Sequence, residues 1–249
     1  MELQKVYRSE PEVAKLLTEC KGPAITLLQE PVVSWSAQSK MWNLPNLERK
    51  NFGVYVHHEH IPKYHHDKVR SAIVCKEVQG ILDNVHSGKD VTTIFLRGLN
   101  KGSRAHLAQG DLLRITSAYF HHRPWTFDGP PVVPKELRDL SDVILETGLN
   151  WLIGADTNSW SPVWSKKEIA RGRECQEWVD NNSVLECLNI GYPITFERPD
   201  CNVTGQGHSS IDVTWCTDAL ITNVQDWRVI TAARHLILGQ LIIFSYCNC

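Results

Sequence analysis

The sequence predicts a layered α/β (α+β) fold, mixed β-sheets covered by helices, on three observations. Short β-type runs arrive in consecutive groups, several of them are continuously apolar, and helical stripes fall between the groups. A continuous apolar run suits a strand buried on both faces, and grouped strands argue against strict alternation of strand and helix.

The elements follow in chain order. Pro11–Cys20 sets Val13, Leu16 and Leu17 at i, i+3 and i+4 behind Ser9 as an N-cap, which predicts a helix. Strands are expected at Ala24–Leu28, Gly53–Val56, Ser71–Val74, Thr92–Leu96 and Leu113–Phe120. The stretch from Phe120 to Pro134 is rich in Pro, Gly and His and reads as a loop. Pro134–Glu146 aligns Leu137, Leu140 and Ile144 on one helical stripe, and Gly172–Asn182 carries Trp178 and Val179 on another. A strand over Trp151–Ile153 lies between them, and strands over Ile211–Cys216 and Leu236–Phe244 bracket a short helix at Asp218–Val224. The sequence contains neither an internal repeat nor a low-complexity tract. Residues 1–249 read as one domain, with the tail 245–249 outside it.

Composition narrows the function little. The formal net charge of −2 gives no global basic field. A local basic groove is enough to bind phosphates, so a DNA enzyme stays open. The N-terminal MELQKVYRSEPEVAKLL has no apolar h-region and no long apolar stretch follows, so an intracellular protein without signal peptide or membrane span is expected. The eight cysteines form no Cys-x-x-Cys pair and read as reduced, mostly buried small hydrophobes.

Four constellations could carry chemistry. In WLIGADTNSWSPVW (151–164) an apolar strand delivers Asp156 and Asn158, two apart. Side chains two apart in extended chain point the same way, so both can address one ligand. A carboxylate beside a carboxamide suits phosphate chemistry: one takes a water proton or touches Mg²⁺, the other donates to the oxyanion. In TLLQEP (26–31) Glu30 ends a strand against a proline, a stiff mount for a hard-cation ligand. RITSAYF (114–120) places Tyr119 near a strand end. In HSSIDVTWCTDAL (208–220) Asp212 interrupts an apolar strand and needs a partner, for which His235 is available at the head of the last apolar run. Each has a plainer reading: a strand-to-turn junction, a solvated strand terminus, a core tyrosine and a structural histidine.

The order of these signals resembles the endonuclease/exonuclease/phosphatase superfamily, which includes the apurinic endonucleases and deoxyribonuclease I. The intervening text is most similar to endonuclease domains of arthropod-type non-LTR retrotransposons. LLQEP (27–31), ITSAYF (115–120), GADTNSWSPVW (154–164), RGRE (171–174), PITF (193–196), SSIDVTWCT (209–217) and a turn at Trp227–Val229 carry that likeness. The resemblance implies a four-layer α/β sandwich, two mixed sheets face to face with helices outside. It implies a DNA-nicking phosphodiesterase that uses Mg²⁺, with Mn²⁺ as a stand-in, on double-stranded DNA, acting as a monomer in the nucleus. By the same likeness Glu30 is the metal ligand, Tyr119 contacts the scissile phosphate and Asp156 activates or orients the attacking water. Asn158 then stabilises the transition-state oxygens, and Asp212 orients His235.

Two positions depart from the family pattern. Val6 stands where the family has an asparagine, and Arg234 stands where an aspartate precedes the histidine. They open a second reading, a non-catalytic descendant that keeps the fold and DNA binding. The chain also stops where such elements continue into a reverse transcriptase, which is absent from it. A third reading keeps the chemistry and moves the substrate to a phospholipid or inositol phosphate.

Outside the core set, Lys166, Lys167, Arg171 and Arg173 form a basic run suited to a DNA backbone or to a solvated helix entry. Trp160 could stack on a base, whereas Trp164 is expected to pack beneath the site. The five histidines of HHEHIPKYHH (57–66) lack zinc-ligand spacing and read as a loop.

Overall fold

The computed structural model describes residues 2–7, 17–19, 23–29, 31, 34–36, 41–43, 52–56, 69–78, 82–88, 90–97, 112–120, 133–147, 150–166, 170–182, 184–191, 194–197, 208–222, 224–231 and 238–244. They build two six-stranded sheets. One runs β15 (Val224–Thr231), β16 (Leu238–Phe244), β1 (Glu2–Tyr7), β2 (Ala24–Gln29), β6 (Ser71–Lys76) and β5 (Phe52–Tyr55). The other runs β11 (Leu185–Cys187), β14 (Asp212–Thr217), β10 (Asn150–Asp156), β9 (Leu112–Tyr119), β8 (Val91–Arg97) and β7 (Leu82–Ser87). Two small ribbons stand apart: β3 (Ser34–Ser36) with β4 (Met41–Asn43), and β12 (Phe196–Glu197) with β13 (His208–Ser209).

Both sheets share one pairing pattern. The central pair is parallel, β1 with β2 and β10 with β9, and every other pairing is antiparallel. Parallel neighbours need a crossover rather than a hairpin. Helix α1 (Lys135–Thr147) makes the crossover from β9 to β10, and the chain between β1 and β2 is helical at residues 17–19. The fold is thus duplicated in topology, although the sequence shows no repeat.

Helices α1 and α2 (Ala170–Asn181) cover the outer face of the second sheet. Their Leu137, Cys175, Trp178 and Val179 pack on Phe120, Trp151, Ile153 and Trp215. Trp164 and Trp178 each meet the Trp215 ring edge-on at 5.8 Å, the arrangement that ring quadrupoles favour. Trp164 is therefore core, as expected.

The face turned toward the first sheet is graded along the strands. One row in register is Ile94, Ile115, Leu152 and Cys216, apolar throughout. Ile25 and Leu27 of β2 and Ile73 and Cys75 of β6 pack against it. The next row is Thr92, Ser117, Gly154 and Thr214. A Cβ on Gly154 would sit 2.6 Å from Leu27 Cδ1, so the sheets approach closely here and only hydrogen fits without repacking. The Gln29 amide crosses the gap and donates to Ser117 Oγ (3.0 Å) and to the Gly154 carbonyl (3.3 Å). Ser117 Oγ donates to the Leu28 carbonyl (3.0 Å), and Ser71 Oγ donates to the Ser117 carbonyl (2.7 Å).

Most expected elements are present with shifted ends. Strand β10 runs on to Asp156 because Gly154, Ala155 and Asp156 pair with both neighbours, which outweighs their weak β-propensity. The helix expected over Asp218–Val224 stops at Ile221, forming α3 (Asp218–Ile221), because Val224 begins β15. Trp227–Val229 is not a turn: these residues pair with Ile242, Leu241 and Gln240 inside β15. Strands β1, β7 and β11 carry mixed polar text without a clean apolar run, which is why they escape a periodicity reading. The segment 57–66, most of the loop before Pro134 and the tail 245–249 lie outside the described residues.

The described cysteines are free thiols: Cys75, Cys175 and Cys216 are buried and Cys187 is half-buried. Burial pushes the Cys216 thiol up to about 12 and the Cys187 thiol up to about 11, and Cys75 and Cys175 also rise. A folded thiol pKa raised above its ordinary 9.0 stabilises the fold fully below pH 9. That contribution is lost as pH rises from there toward the folded value, so the urea midpoint is expected to fall between pH 8 and pH 10. Mass-spectrometric mapping of maleimide labelling at pH 7.5 is expected to leave Cys75, Cys175 and Cys216 unmodified until the chain is unfolded. A second expectation concerns the bridge between the sheets. Ser117→Ala strips a donor from the Leu28 carbonyl and an acceptor from Gln29, and should cost about 1–3 kcal/mol in urea unfolding with an unchanged m-value.

Candidate active site

Above the polar row comes a row of a different kind. Tyr119, Asp156 and Asp212 stand in register on β9, β10 and β14. They share the parity of Leu152 and Gly154 and so lie at the rim of the inter-sheet face. Asp156 is 4% exposed, Asp212 2% and Tyr119 7%. Three residues from separate stretches of sequence are thus brought together by strand register alone.

The loop after β10 is held at several points. Asn158 has φ 46°, the left-handed region that asparagine tolerates better than most residues. Its backbone N–H donates to Asp156 Oδ1 (3.0 Å), and its side-chain Nδ2 donates to the Phe120 carbonyl (2.9 Å). Phe120 N–H donates in turn to the Asp156 carbonyl (2.8 Å). Extended geometry was expected to align Asp156 and Asn158. The structure ends the strand at Asp156 instead, and an Asx turn joins the pair. Thr157 donates through both its N–H (2.8 Å) and its hydroxyl (2.7 Å) to the Ile211 carbonyl, tying this loop to the start of β14.

Asp212 is the first residue of β14 rather than an interruption within it. Thr195 Oγ1 accepts from the N–H groups of Ile211 (3.1 Å) and Asp212 (3.0 Å). Asn189 Nδ2 donates to the Asp212 carbonyl (2.7 Å) while its Oδ1 accepts from Thr214 N–H (2.9 Å). Thr195 and Asn189 were not foreseen, because a buried side chain that caps backbone leaves no mark in composition or spacing.

Other expected residues are placed unevenly. Glu30 and His235 lie outside the described residues, as do Lys167 and Arg234. The chain reaches Glu30 directly from Gln29, whose amide contacts Gly154 two residues before Asp156. On β1, Val6 is in register with Leu28, and Tyr7 with Gln29. Lys166 and Arg173 are exposed, Trp160 is half-buried, and Arg171 lies on the first turn of α2. A Cβ on Gly172 would fall on the Trp160 carbonyl, so glycine lets α2 abut the loop that follows Asn158.

One residue near the row was missed entirely. Arg70, just before β6 on the first sheet, places its guanidinium carbon 5.7 Å from the centre of the Tyr119 ring. Its Nη1 lies 3.6 Å from Asp90 Oδ1, and Asp90 sits opposite Tyr119, whose N–H donates to the Asp90 carbonyl (2.8 Å). The sequence signal was slight, a basic residue ahead of an apolar strand with Lys68 two positions before it.

The donor set can be tested against a metal. Among the described residues no three of His, Cys, Asp and Glu come together as a complete site. Among the described residues the ligand-type groups here are oxygens: the carboxylates of Asp156 and Asp212 at the rim and, one row below, the buried Gln29 Oε1, which bonds to no described residue. An oxygen set suits a hard divalent cation rather than zinc or copper.

No family model matches the sequence, and no curated protein matches it. Solved structures do. The endonuclease domain of TRAS1, a telomere-specific non-LTR retrotransposon, is 20% identical over 100% of this chain and 99% of that one, with a TM-score of 0.63. The catalytic domain of Xenopus laevis APE2 is 12% identical over 99% and 94%, with a TM-score of 0.64. The 3′-5′ exonuclease NExo from Neisseria meningitidis is 12% identical over 99% and 100%, with a TM-score of 0.59. Likeness across whole chains at such low identity is likeness of fold. The chain therefore shares the fold of these structures, a deoxyribonuclease-I-like α/β sandwich.

Proposed function

We propose that the chain is a Mg²⁺-dependent endonuclease that nicks double-stranded DNA and derives from a retrotransposon. The observation that carries the reading is the register row of Tyr119, Asp156 and Asp212 at one rim of the sandwich. Nuclease chemistry in the fold neighbours, an endonuclease domain and an exonuclease among them, supports it.

Each residue has work in this scheme. Asp156 takes or orients the proton of the attacking water; the Asn158 N–H on Oδ1 holds the carboxylate in one orientation. Asn158 spends one amide hydrogen on the Phe120 carbonyl and turns its remaining amide hydrogen to a phosphate oxygen. The Tyr119 hydroxyl meets a nonbridging phosphate oxygen. Asp212, fixed through its backbone by Thr195 and Asn189, orients His235 for the leaving side. Mg²⁺, or Mn²⁺ in its place, would be held by Glu30 with the rim carboxylates and would neutralise charge that develops on the phosphate. Lys166, Lys167, Arg171 and Arg173 contact the DNA backbone, and Trp160 the bases. The protein acts as a monomer on nuclear DNA.

Conversion of supercoiled plasmid to open circle in Mg²⁺ is the test. Asp156→Ala is expected to slow nicking by about 10²–10⁴-fold, the usual worth of a positioned general base. Nicking by the unmodified chain no faster than by this variant would overturn the reading and favour the non-catalytic descendant. Excess EDTA is expected to abolish nicking, with recovery on adding Mg²⁺ or Mn²⁺; nicking that persists in EDTA would remove the metal from the scheme.

A further inference from the structure

We propose that Arg70 is a DNA-backbone clamp, binding a phosphate that flanks the scissile one; this rests on the nuclease reading above. Arg70 comes from the first sheet, while Tyr119, Asp156 and Asp212 come from the second. It therefore reaches across the mouth of the cleft between the sheets, where a strand of DNA laid over Tyr119 must pass.

Three features fit a phosphate. The guanidinium carbon is 5.7 Å from the centre of the Tyr119 ring, which places the cation against the residue expected at the scissile group. The Asp90 carboxylate lies 3.6 Å from Nη1, an ion-pair distance that holds the guanidinium beside the ring. The side chain is 26% exposed, pre-ordered between ring and carboxylate yet still reached by solvent. A planar fork held in advance loses little freedom on meeting an oxyanion.

Charge gives the need. Asp156 and Asp212 make the row acidic, and the whole chain carries a formal −2. A polyanion approaching that row is repelled unless cations stand at its edge, and among the described residues Arg70 is the one shown against Tyr119.

Binding to a fluorescein-labelled duplex, followed by anisotropy from 50 to 300 mM NaCl, separates the outcomes. Asp156→Ala is the non-cleaving background, compared with the same variant also carrying Arg70→Gln. One lost phosphate contact is expected to reduce the log K against log [salt] slope by about 0.9 and to weaken binding roughly tenfold. Equal slopes and equal affinities would overturn the clamp while leaving the nuclease reading intact. Salt-dependent binding by neither protein, with no nicking by the unmodified chain, would overturn both. If Arg70→Gln loses its cooperative unfolding transition, Arg70→Lys takes its place. A point charge without the fork is expected to keep the slope but weaken affinity severalfold, and unchanged affinity would overturn the proposal.

Discussion

The Gln29 amide, donated across the core to Ser117 Oγ and the Gly154 carbonyl, is the contact on which the arrangement of the rim depends. Apolar rows can slide against each other at small cost, but a buried amide out of register loses its partners, at about 1–3 kcal/mol for each group left bare. The bridge sits one row below Tyr119, Asp156 and Asp212 and just before Glu30 in the chain. It therefore registers the end of β2 against the ends of β9 and β10. A one-residue slip of β10 would turn Asp156 to the helix-covered face and bring Ala155 to the rim. Gly154 completes the constraint by letting Leu27 come close enough for the amide to span the gap.

The duplicated topology explains why the site lies at this edge. In each sheet the parallel central pair must end together on one side, and its crossover leaves the opposite side to loops. Chain ends carrying polar side chains gather where two carboxyl termini meet, as in other open α/β sheets. Here the second sheet supplies the row, and the first contributes Gln29 and Arg70 to the same mouth. The loops that follow are fixed by capping: Asn158 to Phe120, Thr157 to Ile211, and Thr195 beneath Asp212.

What could be read from the sequence was what lies on single strands. Apolar runs located β2, β6, β8, β9, β10 and β14, and Asp156 was conspicuous because a carboxylate ends such a run. Period-two reasoning mistook how Asn158 comes near it, since a left-handed turn is invisible to alternation. β1, β7 and β15 were hidden because their order comes from pairing rather than from their own text. Arg70 was hidden for a deeper reason: its role comes from a neighbour 49 positions away in the chain, Tyr119, on the other sheet. Spacing cannot show a contact that two sheets make across a gap.

The same row carries an electrostatic argument. Cross-strand neighbours hold their Cβ atoms about 4.5–5.5 Å apart, and like charges placed directly opposite destabilise a sheet. Asp156 and Asp212 are such a pair, and both are buried. Thr195 and Asn189 fix the backbone of Asp212 by bonding to its main chain, and the Asn158 N–H bonds the Asp156 carboxylate itself. Keeping both makes sense when an opposite charge is recruited there, and the proposed divalent cation and the imidazole of His235 are of the right sign. Arg70 reaches the same rim from the first sheet, beside the Tyr119 ring and within ion-pair distance of Asp90. On the clamp proposed above, its charge would serve the incoming backbone while the row's carboxylates serve the reacting centre.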